Sequence, residues 1–176
     1  MNILIGYATT EGQTRKICRH VAEHLIDSGH SVELLPLSEA GDFGLGRFDR
    51  VILAASVHAG HYQRALSDFL ASHATSLQVL PTLFLSVSLA AAGHEAEDWR
   101  GLDRILEEMT EATGWTPGRV EQVAGAYTPS KYDVFRRFIM RRIIAEKDPD
   151  QDLDTDREYT DWGRLDRAVD GWIAGL

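Results

Sequence analysis

Three short runs of almost unbroken apolar residues, "NILIGYA" at 2–8, "DRVILAAS" at 49–56 and "TLFLSVS" at 82–88, recur along the chain. A strand that is apolar at consecutive positions has both faces covered, which is the condition of a central strand in a parallel sheet. Helical spacing fills the intervals. Residues 13–28 carry Ile17, Val21, His24 and Leu25 at helical spacing before Gly29, residues 62–73 read as helix, and 95–113 end at Gly114. "SVELLPL" at 31–37 is a further strand, where Pro36 points to an edge position. Residues 119–127 read as the last strand and 161–173 as the last helix. Strands alternating with helices predict an α/β fold, a doubly wound five-stranded parallel sheet with helices on both faces. The length of 176 residues suits a single domain spanning 1–176. Residues 128–160 break the alternation and read as an insertion between last strand and last helix.

Composition narrows the function classes. A formal charge of -9 argues against a general nucleic-acid binder, which needs a basic face to displace counterions. Cys18 is the single cysteine, so no internal disulfide forms, and a cytoplasmic setting is expected. The first residues carry no basic n-region of a secretory signal, and no apolar run reaches the length of a membrane span.

Charge reverses sharply near the C-terminus. Residues 131–147 hold six bases against two acids, and 148–161 hold seven acids against one base. Within the first block, Arg136, Arg137, Arg141 and Arg142 are interleaved with large apolar residues, and Tyr132, Phe135, Ile139 and Ile143 fall on one helical line. Two readings stay open. The segment is a helix that meets an anionic membrane surface or a substrate with carboxylates, or it docks inward with its arginines paired to the acids that follow.

The first strand runs into "TTEGQT" (Thr9, Thr10, Glu11, Gly12, Gln13, Thr14). At such a strand-to-helix junction, free backbone N–H groups and the positive end of the helix dipole converge. Three hydroxyls add donors, and Gly12 admits a close approach of the backbone to a ligand. Neither the dinucleotide pattern GxGxxG nor the GK[ST] of triphosphate loops is present, so a phosphate monoester held by neutral donors is expected. Helix capping without a ligand is the plain alternative.

TTEGQT resembles the [ST]-x-[ST]-G-x-T phosphate loop of flavodoxins. Further pieces, EGQTR (11–15), FDRVILAAS…GHY (48–62), HAT (73–75), SV (86–87), AGA (124–126), YD (132–133) and YTDW (159–162), run in order from end to end. Together they are similar to the short, flavodoxin-like, quinone-dependent protoporphyrinogen oxidases of bacteria. The resemblance implies a flavodoxin-like fold with FMN as cofactor. It also implies an oxidoreductase of heme biosynthesis whose partners are a protoporphyrinogen-like tetrapyrrole and a membrane quinone, menaquinone or ubiquinone. Peripheral contact with the inner face of the cell membrane would follow, and oligomerisation stays open. An electron-carrier flavodoxin, an NAD(P)H:quinone reductase and a domain that has lost its flavin are the alternatives on the same fold.

The loop after the third strand (Ser56, Val57, His58, Ala59, Gly60, His61, Tyr62) and the end of the fourth with its loop (Ser86, Val87, Ser88, Leu89, Ala90) belong at the same sheet edge. They are expected to line the flavin ring, with Tyr62 or a histidine stacking on it. His58 and His61 lack companions for a metal set, so no metal is expected. Glu11 is expected to offer its N–H and turn its carboxylate to water. The tryptophans are expected to pack, and no catalytic acid or base can be named from the residues.

Overall fold

The computed structural model describes residues 1–41, 43–132 and 134–175, leaving the side chains of Val134, Phe135, Arg136 and Phe138 outside the description. Strands β1 (Asn2–Ala8), β2 (Ser31–Pro36), β3 (Arg50–Ser56), β4 (Thr82–Ser88) and β5 (Arg119–Ala124) form one sheet. Every pairing is parallel, in the order β2-β1-β3-β4-β5. Helices α1 (Gln13–Asp27), α2 (Arg64–Val79), α3 (Ala96–Thr113), α4 (Val134–Lys147) and α5 (Trp162–Ile173) complete the chain. As Pro36 foretells, β2 lies at an edge.

Period-two alternation divides the strand side chains between two cores. Ile3, Ile5, Ile52, Leu83 and Leu85 meet Ile17, Val21 and Leu25 of α1 and Leu165, Val169 and Trp172 of α5. Leu4, Val51, Leu53 and Phe84 face the other way, onto Leu66, Phe69 and Leu70 of α2 and Met109 of α3. Both sheet faces are covered, as the apolar runs require. Cys18 is wholly buried, and that burial pushes its thiol far above the ordinary range, which leaves it unreactive.

The strand expected over 119–127 is in fact two. Its ladder with β4 ends at Ala124, opposite Ser88, the last residue of β4. Gly125 donates its N–H to Ser88 O, and the chain then leaves the sheet as β6 (Ala126–Tyr127). This strand pairs antiparallel with β7 (Arg157–Glu158), so the two ends of the 128–160 segment are zipped together at the sheet edge. Inside that loop Tyr127, Tyr132 and Ile144 form a small separate core, against which Leu89, Met140, Leu153 and Tyr159 pack.

The expected apolar line along α4 is not a single face. Tyr132 is buried ahead of the helix, Ile139 is 41% exposed, and Ile143 faces a cavity; Phe135 lies outside the described side chains. Mixed charge and apolar residues around the axis gave that helix no stripe for a one-sided core. The helix expected from Tyr62 begins two residues later, because the preceding residues close a tight hairpin. Among the described residues, no helix is long and apolar enough to cross a membrane.

Candidate flavin site at the sheet edge

The loops leaving β1, β3 and β4 open on one side of the switch point between β1 and β3, as the doubly wound topology dictates. They wall a cavity of about 510 Å³. Thr9, Thr10, Glu11, Gln13 and Thr14 line it from the first loop, Ser56 to Gly60 from the second, and Val87, Ser88, Leu89 and Ala90 from the third. The far wall comes from α3 (Glu97, Asp98, Gly101, Leu102, Ile105) and from α4 (Met140, Ile143, Glu146, Lys147), with Tyr132 between.

Gly12 stands just before α1 at φ 98°, the left-handed region that favours glycine, and this turn sets the first turn of the helix, with its free N–H groups, at the cavity wall. The Thr9 hydroxyl accepts from Gly12 N at 3.0 Å and is spent on shaping the loop. Thr14 behaves differently. Its side chain is 1% exposed, lines the cavity, and its Oγ1 has no hydrogen-bond partner. An unpaired buried hydroxyl costs about 1–3 kcal/mol, so the fold tolerates it where a ligand supplies the partner. An unpaired hydroxyl, a glycine turn and a helix N-terminus fit a phosphate group held by neutral donors. Glu11 departs from expectation: its carboxylate accepts from Thr128 Oγ1 at 3.2 Å instead of turning to water. Lys131 Nζ donates to Glu11 O at 2.9 Å, so the inserted segment brings a cation beside the loop.

The second loop is a hairpin. His58 N donates to His61 O (2.8 Å) and His61 N to His58 O (3.1 Å), with Ala59 (φ 50°) and Gly60 (φ 80°) at its tip. Positive φ at both central residues is the geometry of a type I′ turn, and holding Ala59 there costs about 1–2 kcal/mol. Strain at a cavity wall points to a functional constraint. Gln63 ties this loop to the first: its Oε1 accepts from Ser56 N (3.2 Å), and its Nε2 donates to Thr10 Oγ1 (3.1 Å) and to Ser56 Oγ. Only a residue with both donor and acceptor does this, and nothing in the sequence pattern singles Gln63 out.

Tyr62 and Ser86 are not brought to the cavity wall. The Tyr62 ring packs edge-on against Phe84, its hydroxyl bonds Ser86 Oγ at 2.9 Å, and burial pushes its pKa up against the opposing effect of that bond. Ser86 is fully buried. Among the described residues, the rings that line the cavity are those of His58, from the β3 loop, and Tyr132, from the 128–160 segment. The position of Tyr132 after a chain reversal at residues 128–131 could not be read from periodicity.

Of the four arginines, Arg137 donates to Pro129 O at 3.0 Å and Arg141 pairs with Asp154 at 2.7 Å. Arg142 is exposed, and the side chain of Arg136 lies outside the described residues. Arg157 pairs with Asp148, and Lys147 with Asp98 of α3. Part of the charge reversal is therefore an ion-pair lattice that holds the inserted segment. Glu158 closes its base. Burial tends to raise the Glu158 pKa, but bonds from Lys16, Gln13 and Trp162 and the Lys16 charge hold it below the ordinary range. The four tryptophans stay off the cavity wall; Trp115 and Trp172 lie in the cores. Among the described residues, no three metal-ligating side chains cluster.

The Flavodoxin domain model matches residues 4–154. A relative from Escherichia coli K12 named protoporphyrinogen IX dehydrogenase [quinone] is 30% identical over 165 residues, covering 94% of this chain and 91% of its own. A Leishmania major protein of the same name is 26% identical over 97% of this chain and 74% of its own. Oxidised flavodoxin 2 from Bacillus cereus superposes with a TM-score of 0.58 at 15% identity, each chain covered fully. A short-chain flavodoxin associated with a bacterial microcompartment gives 0.61 at 13% identity, over 99% of this chain and 98% of its own. Sheet order, phosphate-type loop and these matches agree, and the chain belongs to the flavodoxin domain family.

Proposed function

We infer that the protein is an FMN-dependent oxidoreductase that dehydrogenates protoporphyrinogen IX and delivers the electrons to a quinone. The match that carries this reading spans 94% of the chain, taking in the 128–160 segment as well as the sheet. FMN, when bound, supplies the redox chemistry by accepting electrons from one substrate and releasing them to another. The chain's own residues bind and orient. Thr14 and the N–H groups after Gly12 would hold the phosphate, the β3 and β4 loops would frame the ring, and Gln63 fixes the spacing between loops. Tyr132, Met140 and Ile143 would exclude water beside the ring and offer an apolar wall.

Residue Arg142, exposed on α4, is a point of contact for anionic groups of the substrate or of a lipid surface. The direct test is anaerobic turnover. FMN-loaded protein given protoporphyrinogen IX and a soluble quinone should form protoporphyrin IX, seen by its absorbance. Absence of porphyrin together with rapid electron exchange with a protein partner would favour a simple carrier, the reading to which the net charge of -9 lends itself.

A further inference from the structure

The cavity has two chemically distinct halves, and the second exceeds what a mononucleotide loop requires. Its walls are α3 and α4, which meet over the β4 loop. On α3, Glu97, Asp98, Gly101, Leu102 and Ile105 fall on one face at helical spacing; on α4, Met140, Ile143 and Lys147 do the same. The interior of this half is apolar. Glu97 and Glu146 stand exposed at its mouth, and Asp98 is bound by Lys147, the only cation among the described lining residues. Gly101 is mid-helix, where glycine costs about 1 kcal/mol relative to alanine. A Cβ built there meets nothing within 4 Å, so the glycine leaves a slot open in the wall.

Resting on the FMN reading above, we propose that this α3–α4 slot is the seat of the uncharged electron acceptor, a quinone-class ring with apolar substituents, and not of the dianionic tetrapyrrole. An apolar slot of this kind gains from burying an uncharged ring. Two carboxylates entering the same mouth would meet Glu97 and Glu146, while the one lysine there is already neutralised by Asp98. The slot therefore sorts the two substrates by charge.

The test uses oxidised, FMN-loaded protein and two probes, menadione and protoporphyrin IX, titrated by calorimetry. Gly101→Leu fills the slot with a residue of higher helix propensity, so α3 is retained. It should raise the menadione Kd at least tenfold, with FMN content, flavin spectrum and protoporphyrin affinity unchanged. Ile105→Phe narrows the slot from the next turn and should act the same way, which covers the case in which Gly101→Leu alters FMN content. Menadione affinity within twofold of the parent in both variants, with FMN intact, overturns the proposal. Loss of protoporphyrin binding with menadione binding retained overturns it too, and gives the slot to the tetrapyrrole. A parent protein that takes up no FMN removes the cofactor reading and the proposal with it.

Discussion

The two walls of the cavity are built by opposite means. The sheet-edge wall hangs on strands whose side chains are almost all buried, so its loops leave from fixed points. Among the described residues, the 128–160 wall has a small core of Tyr127, Tyr132 and Ile144 with Leu89, Met140, Leu153 and Tyr159 packed on it, and polar contacts such as Arg141–Asp154, Arg157–Asp148, Lys147–Asp98 and Ser130–Asp156. Exposed ion pairs contribute about 0–1 kcal/mol each, far less than a buried aliphatic side chain. On the proposed function, affinity for cofactor belongs to the rigid wall and choice of reactant to the looser one, which is expected to open at lower free energy.

The largest effect that would break this division is at Thr14. Thr14→Val removes the one unpartnered hydroxyl of the phosphate loop and should weaken FMN binding by about 1–3 kcal/mol. The apo-protein should melt no lower than the parent, since an unsatisfied buried hydroxyl has gone. Calorimetric titration and thermal melts check both halves. An unchanged FMN affinity would take the phosphate away from Thr14.

Next in size is Gln63→Leu, which cuts the tie between the β1 and β3 loops. FMN affinity should fall by about 1–2 kcal/mol as the two loops lose their fixed spacing, and the Ala59–Gly60 hairpin should show faster amide exchange. If the loss is confined to global stability, the tie is structural and has no part in the site.

A smaller, more local effect belongs to the inserted wall. Lys147→Met with Asp98→Asn removes the pair joining α4 to α3. Amide exchange in α4 should rise several-fold while the sheet core keeps its protection, and the melting temperature should shift little, the pair being worth about 1 kcal/mol or less. Equal acceleration in β1 and β3 would show that the two walls unfold as one unit.

What the amino-acid sequence makes legible follows the same divide. β4 was legible to the residue at Thr82–Ser88, because a strand covered on both faces is a short run of mostly apolar residues, and the small hydroxyls of Thr82, Ser86 and Ser88 are buried within it. The loop after β1 reads as a phosphate loop by its hydroxyls and glycine, and it does line the cavity. The start of α2 was not legible, because Ala59 takes a positive φ that nothing in its chemistry announces. Tyr62 looked like a stacking ring from its place after Gly60, but its hydroxyl finds Ser86 in the interior, and a buried polar partner outweighs exposure at a cavity. Tyr132 and the α3–α4 slot were invisible. They depend on how a chain reversal and a charge-laced helix fold back, and such contacts lie between residues far apart in sequence.

The smallest expected effect is with pH. Glu158 bonds Lys16, Gln13 and Trp162, and its folded pKa lies below the ordinary carboxylate value. A depressed carboxyl pKa means that its contribution is present above the unfolded value, near 4.3, and is lost as pH falls through the folded one. Trp162 fluorescence should therefore change in acid as β7 separates from α1, with the sheet still folded by far-ultraviolet circular dichroism. Glu158→Gln should abolish that change.

The central claim is that a phosphate group, held by the turn around Gly12 and by Thr14, anchors the cofactor. Comparing FMN with riboflavin, which shares the ring and lacks the phosphate, tests it most directly. Calorimetry on the apo-protein should give one FMN site and a riboflavin Kd at least a hundredfold weaker, with the gap between the two ligands narrowing in Thr14→Val. Equal affinities for riboflavin and FMN, or no flavin binding at all, would contradict the account.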